Sequence, residues 1–332
     1  MKNISNDIKN GDFKHIYLLF GNESYLRIWH RNKLVNAIVP PDDNMNRSVF
    51  SGKNIDEQEI IDIGETLPFF SEKRLIFIRD SGFFKSAPEK LGEYLKNIPD
   101  YLYVVFEETE IDKRSALYRY VSKHGYASEF EKQSDSYLLT WIGRIIAGEG
   151  KKIKWPDAEY FLSRVGTDMN TISLELDKVI NFIGEREIIS REDIDSVTVQ
   201  VLDDRIFDMI RDISSGKRQE ALRNYADLMA LKEPPLKILA LLERQYNHLL
   251  RTFELRKKGI QAADIAKRIG VPAFAVRNYI DCMGRYTREE LLYALEKCAS
   301  TEQDIKTGNI NDRVGIELLI IEFSSLNKKI GR

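Results

Sequence analysis

The feature that most constrains this chain is an alternation of apolar runs and helical patterns between residues 15 and 131. His15-Ile16-Tyr17-Leu18-Leu19-Phe20 reads as a buried strand closed by Gly21, and Gly21-Asn22-Glu23-Ser24-Tyr25-Leu26-Arg27 opens a helix. Further strands are expected over 45–50, 75–79, 102–106 and 126–130, with helices over 55–67, 88–97 and from Ile111-Asp112-Lys113-Arg114 through His124. Apolar strands alternating with helices imply a parallel sheet covered by helices on both faces.

Ligands of such folds sit at the carboxyl ends of the strands. Those ends carry Gly21, Asp80 and Glu107. A phosphate loop needs backbone N–H groups around the phosphate, a Lys for the terminal phosphates and a Ser or Thr for Mg²⁺. Gly21 is followed by no second Gly, no Lys and no Thr in register. Gly21, Asn22 and Asp80 therefore read as a degenerate nucleotide site that is not expected to bind. Asp80, beside Gly82, reads as a turn residue. Glu107, Glu108 and Glu110 read as a solvated loop rather than an acid–base pair.

After Gln133-Ser134-Asp135 the pattern becomes helical. Residues 136–202 form a small helical domain, in which Ser190-Arg191-Glu192-Asp193 carries a capping-box signature. Residues 203–332 form an all-α domain with a long helix over 236–258. Its segments 262–269 and 273–283 resemble a helix–turn–helix pair. The second of these offers only Arg277 and Arg285 as cations, so packing is the preferred reading and DNA binding the alternative. The last helix, with Leu318, Leu319, Ile320, Ile321 and Phe323, is either buried in its own domain or packed on neighbouring subunits. Three domains follow: 1–135, 136–202 and 203–332.

Composition excludes several classes. The formal net charge is −2, which gives no overall field toward nucleic acid or membrane. Cys282 and Cys298 are the only cysteines and lack metal spacing; a reducing cytoplasm fits. No apolar run approaches 18 residues, and residues 1–14 lack the apolar core of a signal peptide. The four histidines are scattered. We read no catalytic residue, no metal ligand and no cofactor. Arg27, Arg31 and Lys33, interleaved with Trp29 and His30, read as a solvated helix face, with contact to a DNA backbone as the alternative.

The stretch Leu67-Pro68-Phe69-Phe70-Ser71-Glu72-Lys73-Arg74 stands out. Ile60, Ile61, Ile63 and Leu67 recur at helical spacing, and Pro68 marks the helix end. A strand follows at once. Leu67, Phe69 and Phe70 then sit on a tight helix-to-strand junction, where they either fold into the core or point outward. Pattern alone favours the core; outward, they would form an apolar patch for a partner's pocket. Lys73 and Arg74 read as the strand's solvated entry.

The order of these segments and their motifs resembles the delta subunit of the bacterial DNA polymerase III clamp loader. The matching motifs are Tyr17-Leu18-Leu19-Phe20-Gly21-Asn22-Glu23-Ser24-Tyr25-Leu26, Leu67 to Leu75, Ile111-Asp112-Lys113-Arg114 with Leu117-Tyr118, Leu174-Glu175-Leu176-Asp177-Lys178, Ile206-Phe207-Asp208 and Asp304-Ile305-Lys306-Thr307-Gly308. The resemblance implies an AAA+-like α/β domain without a working phosphate loop, then a helical lid and an all-α collar. It implies a subunit that binds the ring-shaped sliding clamp (the beta subunit) and opens it, while other subunits hydrolyse ATP. The implied partners are the tau/gamma and delta-prime subunits through the collar, and primed DNA within the assembled loader. The chain would then be a cytoplasmic component of a DNA-directed DNA polymerase complex, with no catalytic site of its own. By motif position the clamp-binding wedge falls on Phe69 and Phe70, with Leu67 adjacent. The family's pair is of Leu-Phe type; here Phe stands first, with Pro68 before it. The rival readings are a divergent ATPase using Asp80 and Glu107, and a stand-alone DNA-binding protein using residues 262–283.

Overall fold

The computed structural model describes residues 2–86, 88–198, 202–271 and 273–326. Its backbone contacts divide the chain into two compact units, residues 1–133 and residues from 134 onward.

The first unit is built on five parallel strands: β1 (Ile16–Phe20), β2 (Arg47–Ser51), β3 (Arg74–Arg79), β4 (Leu102–Glu108) and β5 (Tyr126–Glu129), in the order β2-β3-β4-β1-β5. Alternate residues of a strand face opposite sides. Leu18, Phe20, Ile76, Ile78, Val104 and Phe106 pack on one side with Ile60 of α3 (Glu57–Gly64), Leu91 of α4 (Glu89–Tyr94) and Val121 of α5 (Ala116–His124). Tyr17, Leu19, Phe77 and Val105 alternate with them toward the other side and are buried. There α2 (Ser24–Ile38) packs on β1, β3 and β4. The Tyr17 hydroxyl donates to Asp7 of α1 (Lys2–Asn10) at 2.8 Å. The expected parallel sheet with helices on both faces is present.

Local boundaries differ in instructive ways. Helix α3 ends at Gly64 instead of reaching residue 67, so Leu67 lies outside it. An added Cβ at Gly64 would stand 2.5 Å from the Tyr94 hydroxyl, so a glycine lets α4 approach. The sequence pattern gives no sign of the N-terminal helix α1; among its residues of described burial only Ile4 is buried, too little for a wide apolar stripe.

The second unit holds α6 (Asp135–Gly148), α7 (Trp155–Val165), α8 (Met169–Ile183) and α9 (Arg191–Val197), with the Ser190–Asp193 capping box formed. It also contains a parallel pair of two-residue strands, β6 (Lys152–Ile153) and β7 (Ile188–Ile189), within the stretch expected to be helical. Two residues carry no readable period. The remaining helices are α10 (Leu202–Ser214), α11 (Arg218–Ala230), α12 (Pro235–Lys257), α13 (Ala262–Ile269), α14 (Ala273–Met283), α15 (Arg288–Lys306) and α16 (Asp312–Leu326). Ile210, Tyr225, Leu242, Tyr246, Cys298, Ile320 and Phe323 share their core. Helix α16 is buried in its own domain through Ile320 and Phe323, while Val314 and Leu318 are exposed. Cys282 and Cys298 are free and buried, and burial pushes the Cys298 thiol up to about 12.

Candidate functional site

Two loops of the first unit concentrate the sequence's functional signals. The first joins β1 to α2, where a phosphate loop would lie. Two of its backbone donors are engaged: the Gly21 N–H donates to the Glu108 carbonyl at 3.3 Å and the Glu23 N–H to the Phe130 carbonyl at 3.0 Å. Gly21 has φ +118°, and a Cβ there would stand 2.3 Å from the Phe130 carbonyl oxygen. The Gly21 carbonyl in turn accepts from the Arg27 guanidinium. A phosphate cradle needs such N–H groups free and convergent.

The acids at the strand ends are structural ties. Glu107 and Glu108 belong to β4 and are buried, which corrects their reading as a solvated loop; Glu110 alone is exposed. Glu107 pairs with Arg27 at 3.0 Å and Arg31 at 3.2 Å. Arg27 and Arg31 are therefore an ion-paired inner face of α2 rather than a solvated one, while Lys33 is exposed, 3.8 Å over the exposed Trp29 ring. Glu108 accepts from the Ser81 and Gly82 N–H groups at 3.0 and 3.3 Å, fixing the turn after β3. Burial raises the Glu108 carboxyl above the ordinary range, partly offset by those hydrogen bonds. Asp80 sits in that turn with φ +50°, exposed, its N–H donating to the Glu107 carbonyl at 2.9 Å. His30, packed against Phe130, is pushed down to about 4, chiefly by burial.

The second loop joins α3 to β3. Leu67 is 73%, Phe69 55% and Phe70 95% exposed. The pattern-based expectation of core burial thus fails here. The two phenyl rings meet edge to face at 4.5 Å. Phe70 has φ +49°, a left-handed conformation that costs a non-glycine residue about 1–2 kcal/mol. The loop is nonetheless tied down from beneath. Asn46, buried just before β2, accepts from the Phe69 N–H at 2.6 Å and donates to the Phe69 carbonyl at 2.9 Å. Arg74 donates to the Leu67 carbonyl at 3.2 Å and is buried, so it is no solvated strand entry. Lys73 lies 4.7 Å over the Phe13 ring. Sequence reasoning missed Asn46; nothing in its local pattern marks a polar residue that pairs with a loop 23 positions on.

The helix–turn–helix candidate is a packing element where described. Ile265, Ala266, Ile269 and Val276 form its own small core, Tyr279 of α14 donates to Gln245 of α12, and Arg285 donates to Ser214 at 3.3 Å. Pro272, in its turn, lies outside the described residues. Among the described residues no group of three His, Cys, Asp or Glu could hold a metal, and no helix is long and apolar enough to cross a membrane.

Comparison with known proteins decides the family. The family model described as "DNA polymerase III, delta subunit" matches residues 17–131, which span β1 to β5, and "DNA polymerase III delta subunit, C-terminal domain" matches 203–323. The chain belongs to the DNA polymerase III delta-subunit family. It is 27% identical to DNA polymerase III subunit delta of Bacillus subtilis over 97% of this chain and 96% of that protein. It is 20% identical to the probable DNA polymerase III subunit delta of Aquifex aeolicus, covering 86% of this chain and 85% of that one. The solved structure of the Bacillus subtilis DNA clamp loader delta protein superposes with a TM-score of 0.65 at 26% identity, covering 97% and 99% of the two chains. The fold and family expected from the motifs are thus both present, and the chain is a clamp-loader delta subunit by kinship.

Proposed function

We propose that this delta-family chain grips a sliding clamp through Phe69 and Phe70, with Leu67 alongside, and so favours the clamp's open ring. One observation carries the reading: two adjacent phenylalanines, one almost wholly exposed, are presented on a loop whose backbone is fixed from beneath. Exposed aromatic pairs of this kind act as buried anchors once a partner covers them, at about 2 kcal/mol or more each. Ring opening then follows if the protein contacts the open clamp better than the closed one.

In this reading residues 1–135 bind the clamp, 136–202 form a lid, and 203–332 join the tau/gamma and delta-prime subunits, in the cytoplasm and around primed DNA. The β1–α2 loop takes no part in nucleotide hydrolysis, because it lacks the Lys and Ser/Thr of a phosphate loop and its Gly21 and Glu23 N–H groups are engaged by the Glu108 and Phe130 carbonyls. Titration of the isolated chain with ATP and Mg²⁺ is expected to give no binding heat, and a clear micromolar isotherm would contradict that assignment.

The test is direct binding to the sliding clamp of the same organism. The wild-type chain should bind, and Phe69→Ala/Phe70→Ala should weaken binding about 1,000-fold, the equivalent of two anchors, with an unchanged melting temperature. Binding by the double variant at wild-type strength would remove the wedge from this loop. A clamp held monomeric by interface substitutions should bind more tightly than the closed ring; equal affinity would sink the ring-opening step.

A further inference from the structure

We infer that Asn46 is the positioning residue of the wedge: its side-chain amide holds the Phe69 peptide from both sides and so presets the two phenyl rings before any partner arrives. This rests on the wedge reading above but concerns a residue that is itself inaccessible, 1% exposed.

The geometry is that of a strand partner compressed into one side chain. Oδ1 accepts from the Phe69 N–H at 2.6 Å and Nδ2 donates to the Phe69 carbonyl at 2.9 Å. The amide orientation is forced by its neighbours. An N–H can only donate, so it must face the oxygen; a carbonyl can only accept, so it must face the nitrogen. The same nitrogen reaches both oxygens of Asp43, at 3.0 and 2.8 Å, which can only accept when ionised. The Asn46 N–H also donates to Asp43 at 3.1 Å. The clip is anchored to the sheet as well, because the Asn46 carbonyl accepts from Leu75 of β3 at 2.8 Å. Asp43 thus aims the amide, the amide aims Phe69, and Phe70 follows in its left-handed conformation beside it. A second tie, Arg74 to the Leu67 carbonyl, fixes the other side of Pro68.

A loop held in its binding conformation loses no affinity to a competing ensemble. If release leaves only about one loop in ten competent, apparent affinity falls about tenfold.

The experiment compares wild type, Asn46→Ala and the isosteric Asn46→Asp, which keeps the acceptor for Phe69 but, ionised, loses the donor and confronts Asp43. Both variants should bind the sliding clamp about tenfold or more weakly, Asn46→Asp the worse. In the free chain, the Phe69 amide should exchange with deuterium faster in both variants. The deciding arm puts Asn46→Ala into the Phe69→Ala/Phe70→Ala background, where it should have no further effect on residual binding. An additive loss there, unchanged amide protection, or unfolding of both variants would overturn the proposal and make Asn46 an ordinary core residue. If wild type itself failed to bind the clamp, the wedge reading would fall, while the exchange arm would still judge the clip.

Discussion

The β1–α2 loop and the α3–β3 loop lie at opposite ends of the same parallel sheet, and they handle their backbone in opposite ways. At the carboxyl end, Gly21 and Glu23 turn their N–H groups inward onto neighbouring carbonyls, and the Glu107 carboxylate is shared by Arg27 and Arg31 beneath. These groups are committed to the fold. At the amino end, buried Asn46 and Arg74 take up the backbone groups of Phe69 and the carbonyl of Leu67, and the side chains of Leu67, Phe69 and Phe70 reach solvent. Both loops are tied by hydrogen bonds. What differs is which side of the backbone was satisfied from within: where the interior consumes the peptide donors a phosphate site closes, and where it supplies partners to the peptide an apolar surface is freed.

Substitutions should therefore separate cleanly. The largest effect belongs to Phe69→Ala/Phe70→Ala, which should abolish about 4 kcal/mol of clamp binding and leave unfolding in urea untouched. Glu107→Ala should do the reverse. It strips a buried carboxylate from two guanidiniums and should destabilise the first unit by about 3 kcal/mol, with clamp affinity of the folded fraction retained. A fall in urea midpoint equivalent to less than about 1 kcal/mol, the usual worth of exposed pairs, would show that the cluster is screened by water. The comparison would fail outright if Glu107→Ala weakened clamp binding as much as the wedge variant.

Gly21→Ala probes the closed loop more gently. Its Cβ would meet the Phe130 carbonyl at 2.3 Å at a φ that side chains rarely adopt, so the loop must shift. We expect a loss of about 2 kcal/mol, read as a lower melting temperature and faster exchange at the Glu23 amide. A neutral outcome would mean that the loop is not pinned to β5. Regaining nucleotide binding would need far more than this change, since the missing Lys and Thr remain missing.

Much of this was legible in the sequence, for reasons visible in particular residues. Strands such as Leu75–Ile78 and Leu102–Phe106 are apolar on both faces because both faces are covered, and that signal is local. The Phe69–Phe70 exposure was not legible from pattern, because apolarity alone cannot tell a core residue from an anchor awaiting a partner; the degenerate nucleotide site and the family resemblance pointed outward. The misreading of Glu107, Arg27 and Arg31 has a similar origin. Each looks solvated in its own segment, and the pairing spans 80 positions. Asn46 and Phe69 are likewise joined only by the fold, 23 positions apart.

The smallest effect concerns pH and sharpens the same contrast. His30 lies on α2 behind the closed loop, and its pKa, about 4, is below the ordinary 6.5 because burial disfavours its charged form, with the Lys33 charge adding to this. Between pH 6.5 and 4 the unfolded chain binds more protons than the folded one at this site. The stability it contributes is thus complete above pH 6.5 and lost as pH falls toward 4. Glu108, raised by burial, acts in the opposite sense, losing stability as pH rises from the ordinary carboxylate range. The raw curve mixes the two, so the difference between wild type and His30→Phe isolates the histidine. From pH 4.5 to 7, wild type should gain on the order of 1–2 kcal/mol more than the variant, allowing for residual solvation of the ring. Equal gains would show that His30 protonates freely in the folded chain.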